Sequence, residues 1–210
     1  MNKIIFAFLV LVGIGQSYAQ PSFGIKAGVN LNDVTLKNTP FLPMRLYQPT
    51  LGFHFGGFAR INLGDKFSFN PELLFVQRGA HKNPDGLFGA LQPGVGGRIN
   101  LNYIELPLLL AFNPINFLSF EIGPSGSMKV SAKETSSKGK IDVSDQFDKS
   151  FDAGINAGIK VNLSNKISIV GRYYHGLRSV IRFENIYPND PPATSANKTL
   201  QVGMNYLLTE

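Results

Sequence analysis

The chain has 210 residues, no cysteine, and 20 Lys+Arg against 14 Asp+Glu, a net charge of +6. That length suits one domain of ordinary size. Without cysteine there is no disulfide, thiolate metal site or lipoprotein acylation site, and the basic excess, spread without a basic run, argues against nucleic acid as a partner.

Residues 1–19 stand apart from the rest. Lys3 supplies a positive start, Ile4 to Gly15 form an apolar and small-residue run, and Ser17-Tyr18-Ala19 is a small-x-small cleavage signal. This is the pattern of a secretory signal peptide, leaving 20–210 as the mature domain. The alternative, an N-terminal anchor, needs roughly 18–20 apolar residues, more than the run provides. No later stretch is long and apolar enough for a membrane helix. If the mature chain lies in a membrane, it must therefore do so as a closed barrel, because lipid satisfies no open backbone group.

Along the mature chain the recurring apolar period is two, the strand signature. Eight segments carry it: Ser22–Asn32, Thr50–Asn62, Lys66–Gly79, Arg98–Phe112, Phe117–Ser131, Ser150–Leu163, Lys166–Val180 and Lys198–Thr209. The links after the second, fourth and sixth segments are short: Leu63-Gly64-Asp65-Lys66, Asn113-Pro114-Ile115-Asn116 and Ser164-Asn165-Lys166. The other four, 33–49, 81–97, 132–149 and 181–197, are long. Short turns at one end and long loops at the other predict an all-β fold, an eight-stranded antiparallel up-and-down transmembrane β-barrel with its turns on the periplasmic side.

Each strand has an apolar and a polar face. In the first, Phe23, Ile25, Ala27, Val29 and Leu31 oppose Gly24, Lys26, Gly28, Asn30 and Asn32; in the sixth, Phe151, Ile155, Ile159 and Val161 oppose Asp152, Asn156 and Lys160. The interior charges Lys26, Arg60, Glu72, Arg78, Glu105, Glu121, Lys129, Asp152, Lys160 and Arg172 all take the polar face. Arg98 and Lys198 break this parity, but at strand starts on the loop side, where a headgroup contact costs little. A soluble lipocalin-like barrel would turn the apolar face inward. Two features favour the membrane orientation: the polar face is rich in Gly, Asn and Ser, and Phe23, Phe53, Phe67, Phe151, Tyr173 and Tyr206 lie near strand ends, where a bilayer interface favours aromatics.

Lys26, Arg60, Glu72, Glu105, Glu121, Lys160 and Arg172 are therefore the candidate site, read as a structural lumen charge network. An eight-stranded barrel is just wide enough to be filled by side chains, and buried charges need partners. A gated ion path is the rival. Glu72 and Glu105 imitate a two-carboxylate acid/base pair, but cations on adjoining strands favour salt bridges. His54, His81 and His175 share no metal-ligand spacing, so no metal, cofactor or catalytic residue is assigned. Gly123-Pro124-Ser125-Gly126-Ser127 lacks the last glycine of a nucleophile elbow and reads as a mid-strand bulge.

The opening Gly24-Ile25-Lys26-Ala27-Gly28-Val29-Asn30-Leu31, the Pro71-Glu72-Leu73-Leu74-Phe75 stretch and Tyr103-Ile104-Glu105-Leu106-Pro107-Leu108-Leu109-Leu110 resemble the PorT-like outer-membrane β-barrel family of Bacteroidota. The resemblance spans essentially the whole mature chain. It implies an eight-stranded outer-membrane barrel and little about activity, some members being tied to type IX protein secretion. The chain ends Leu208-Thr209-Glu210, without the terminal aromatic that barrel-assembly machinery often reads.

The expected protein is a monomeric, non-enzymatic outer-membrane barrel with a structural or surface-binding role. Its partners would be outer-membrane lipid and lipopolysaccharide, the assembly machinery during insertion, and a surface ligand or secretion partner at loops 33–49, 81–97, 132–149 and 181–197. The rivals are a narrow channel for small solutes or ions, a lipid-modifying enzyme with a histidine at the rim, and a secretion accessory.

Overall fold

The computed structural model describes residues 20–37, 47–82, 97–136, 139–142, 151–178 and 194–209. The signal-peptide reading of residues 1–19 lies outside them, as do the central parts of the four long loops. Among the described residues ten strands are present: β1 Ser22–Lys37, β2 Tyr47–Gln48, β3 Thr50–Asn62, β4 Phe67–Lys82, β5 Gly97–Ile115, β6 Leu118–Ser136, β7 Gly139–Asp142, β8 Phe151–Asn162, β9 Ile167–Gly176 and β10 Thr194–Leu207.

Eight of them form the wall. Each pairs antiparallel with its neighbours in the order β1-β3-β4-β5-β6-β8-β9-β10, and β10 returns to β1 (Gly24 opposite Leu207, Asn30 opposite Gln201), closing the ring. Closure gives each wall strand a partner on both sides and leaves no edge within the bilayer. At the turn end Gly64 has φ +119°, a backbone conformation that favours glycine. The short β2 and β7 extend the wall at the loop end, on β4 and β6.

The orientation follows from exposure. Lys26, Glu105 and Lys160 are 3 %, 1 % and 3 % exposed, whereas Ile25, Ile104 and Ile159 are 53 %, 39 % and 47 % exposed. The ionisable side chains are therefore enclosed and the oily ones form the outer wall, the reverse of a soluble barrel. Rings gather along that wall, Phe53, Phe55 and Phe75 stacked in one group and Phe67 tilted against Phe112 in another.

Three expectations need correction. Most strands run further at the loop end than alternation predicts: β1 continues to Lys37, β6 to Ser136, and β4 carries His81, the predicted start of a loop, whereas β9 ends at Gly176, short of the predicted Val180. Residues 132–149 are not wholly loop, because β6 turns back on β7 through Gly139, at φ +122°. The bulge is not at Gly123–Ser127, where Pro107 faces Ser125 and Leu110 faces Ile122 in one register; one shift lies at the turn end, between Phe112 and Ile115, and the other falls where Asn102 faces Ser131 and Tyr103 faces Lys129, leaving Val130 as the extra residue. Beyond it the phase of β6 flips, so that Ala132 is buried.

Candidate functional site: the lumen networks

Strand alternation points one residue in two at the axis, and across a ring of eight strands these side chains meet. Glycines make the room. A Cβ at Gly24 would lie 2.3 Å from the Phe58 ring, and one at Gly154 would lie 2.4 Å from the Tyr174 ring. His54 sits over Gly28 and Gly203 in the same way, its Nδ1 2.7 Å from Asn30 Oδ1.

The lower network lies toward the turns. Arg172 on β9 forks onto Glu72 on β4, Nη1 to Oε2 at 2.7 Å and Nη2 to Oε1 at 2.9 Å, and its Nη2 also reaches Glu121 Oε2 at 2.9 Å. Lys26 Nζ donates to both Glu72 oxygens at 3.2 Å, and Lys160 Nζ lies 3.2 Å from Glu121 Oε1. Asn70 donates to the same Glu121 oxygen at 3.3 Å. Three cations thus face two carboxylates, all buried. Arg60, half-buried nearer the turns, faces Glu121 at longer range.

The upper network centres on Arg78 of β4. Its Nη2 donates to Glu105 on β5, and its Nη1 lies 3.9 Å from Asp152 Oδ2 and 3.3 Å from Ser127 Oγ. The guanidinium carbon stands 3.8 Å from the centre of the Tyr174 ring and 5.3 Å from that of Tyr103, in cation–π range of both. Asp152 Oδ2 also accepts from Tyr174 Oη at 3.0 Å and Asn197 Nδ2 at 3.1 Å. Here Arg78 is shared by two carboxylates, whereas in the lower network three cations share two carboxylates.

The structure therefore separates the sequence-derived candidates. Lys26, Glu72, Glu121, Lys160 and Arg172 come together, while Glu105 joins Arg78. On β4 Glu72 and Arg78 are separated by about 20 Å of strand, with Leu74 and Val76 buried between them. The imagined Glu72–Glu105 acid/base pair is thus divided between two networks. Sequence reasoning places Arg78 and Asp152 inward but outside the candidate site, and misses Tyr103 and Tyr174. Their parity was legible, since Tyr103 shares a face with Glu105 and Tyr174 with Arg172. The histidines do not converge: His54 is buried in the lumen, His81 lies on β4, and His175 is on β9 beside Tyr173. Among the described residues no group of His, Cys, Asp and Glu is arranged to hold a metal ion.

An apolar outer wall closed by strands, around a bore crossed by buried ion pairs, defines a small transmembrane β-barrel of the outer-membrane type. A family model for the outer membrane protein beta-barrel domain matches residues 18–182, and the chain belongs to that family. No curated protein matches the sequence. Among solved structures the fold is similar to Neisserial surface protein A, with 11 % identity and a TM-score of 0.56 over 90 % of this chain and 100 % of that one. Ail, the attachment invasion locus protein of Yersinia pestis, shows 14 % identity and a TM-score of 0.49, covering 90 % of this chain and 100 % of its own. OprG from Pseudomonas aeruginosa shows 10 % and 0.48, covering 93 % and 99 %.

Proposed function

We propose that the protein is a monomeric, non-enzymatic barrel with a plugged lumen, serving as a rigid scaffold whose loops bind at the cell surface. One observation carries this reading. β4 and β9 stand opposite each other in the ring, and they touch through the middle at two levels, Glu72 with Arg172 and Arg78 with Tyr174. Side chains bonded straight across the bore leave no open path for a solute. The same pairing supports the non-enzymatic reading, because the lumen carboxylates are held by cations and are not presented to a substrate.

Planar bilayers carrying the purified wild-type chain at high density are expected to stay electrically silent. Stepwise conductance that falls on charge reversal at Lys26 or Glu121 would instead establish the narrow channel.

Export through cleavage after Ala19 belongs to this reading. Intact-mass measurement of the protein from outer membranes is expected to place Gln20 at the N-terminus; a mass that retains residues 1–19 would refute it. Within its family we assign the chain to the PorT-like, Bacteroidota-type barrels. Support comes from two of the three resembling stretches, whose acids Glu72 and Glu105 sit one in each lumen network.

A further inference from the structure

The outer wall changes character on one side of the barrel. On β4, β5 and β6 the lipid-facing residues Phe75, Ile104 and Met128 are followed toward the loop end by Gln77, Asn102 and Ser131. These three bond to one another across the strands, Gln77 Nε2 to Asn102 Oδ1 at 3.3 Å and Asn102 Nδ2 to Ser131 Oγ at 2.8 Å. The bulge at Val130 makes this row possible, because it turns Ser131 and Lys133 outward and Ala132 inward. Higher still come Lys133, exposed, and Arg98, a diagonal neighbour across β5 and β6; exposed Lys140 on β7 faces Thr135, which in turn faces Arg98. Arg98 donates from Nη2 to Leu51 O, and its buried Nε has no hydrogen-bond partner. In the register Asp142 of β7 stands opposite Lys133, one acid position against the three cations Lys133, Lys140 and Arg98.

We propose that this face binds the phosphorylated sugar headgroup of the outer leaflet's glycolipid. The inference rests on the outer-membrane reading, which puts the loop end outside the cell. It is carried by height and by charge. On β4 and β5 the amide row begins one inward-facing residue above the last oily row, about 7 Å along the strand, and on β6 the hydroxyl follows the exposed Val130 of the bulge, at the height where hydrocarbon gives way to headgroups. Amides and hydroxyls match sugar hydroxyls, and the lysines and Arg98 above them match phosphate. β4, β5 and β6 continue as paired strands past the oily band, so the groups are held on a rigid sheet. The outward cations thus lie where anionic headgroups would meet them, in continuity with the surface that already contacts the acyl chains.

The test uses the full mature chain reconstituted in phosphatidylcholine nanodiscs and titrated with lipopolysaccharide, intact or enzymatically dephosphorylated. Wild type is expected to bind the intact form at least about tenfold more tightly, given the usual attraction of each surface cation to an anionic headgroup layer. K133E/K140E should lose that preference, and K66E, on the turn side, should keep it. Equal binding of the two lipids by wild type overturns the proposal even if no variant folds. So does a preference that survives in K133E/K140E protein that still shows the folded gel shift. Failure of the wild-type chain to insert at all would instead bring down the barrel reading, and this inference with it.

Discussion

Arg78→Met is expected to destabilise the folded barrel by about 3–5 kcal/mol, the usual consequence of removing one partner from a buried ion pair. Arg78 is the cation shared by Glu105 and Asp152, so its loss takes the ion-pair partner from two enclosed carboxylates at once. It also empties the space against the Tyr174 ring that the guanidinium fills. Arg172→Met should cost less, although Arg172 makes more hydrogen bonds. After that change Lys26 still holds Glu72 and Lys160 still holds Glu121, and the lower network becomes balanced. The folded fraction by heat-modifiability gel shift across a urea series would measure both variants. Adding Glu105→Gln to Arg78→Met should recover part of the loss, as interacting sites do in a double-mutant cycle. If Arg172→Met proved the more damaging, the two networks would not be the separate units described above.

Val202→Arg is expected to cost about 2–4 kcal/mol, and Leu208→Arg only about 0–1 kcal/mol, in the same assay in lipid vesicles. Val202 lies on the outer face of β10 between Val29 and Gly171, in the middle of the oily band, while Leu208 is exposed just past the end of the strand. An arginine at Val202 must put its charge into hydrocarbon or bend far to reach the interface; at Leu208 it is already there. Equal costs at the two positions would mean that this wall does not face acyl chains.

Within the membrane the strands were legible to within a few residues, and Thr50–Asn62 matched β3 end to end. The reason is physical: lipid on one side and a crowded lumen on the other impose strict alternation. Above the bilayer both faces of the wall meet polar surroundings or covering chain, the alternation fades, and the reading ended too early. His81 on β4 and Lys133 on β6 show this, being polar residues on strands that continue past the predicted ends at Gly79 and Ser131. The bulge was misplaced for a different reason. Gly123 and Pro124 looked like a break, but a bulge is a mismatch between two strands, and it occurs where Val130 finds no opposite number on β5.

Side of the wall was decided by the sequence alone, since chain chemistry at every second position determines which residues can face hydrocarbon and which must be enclosed. Partnership was decided by the tertiary structure. Glu72 and Arg172 are separated by 100 residues and lie on opposite strands of the ring. Only closure of β10 onto β1, with its particular register, brings their heights together, so the division of the lumen charges into two networks could not be read from spacing. Short-range periodicity carries facing; ring closure and stagger carry contact across the bore.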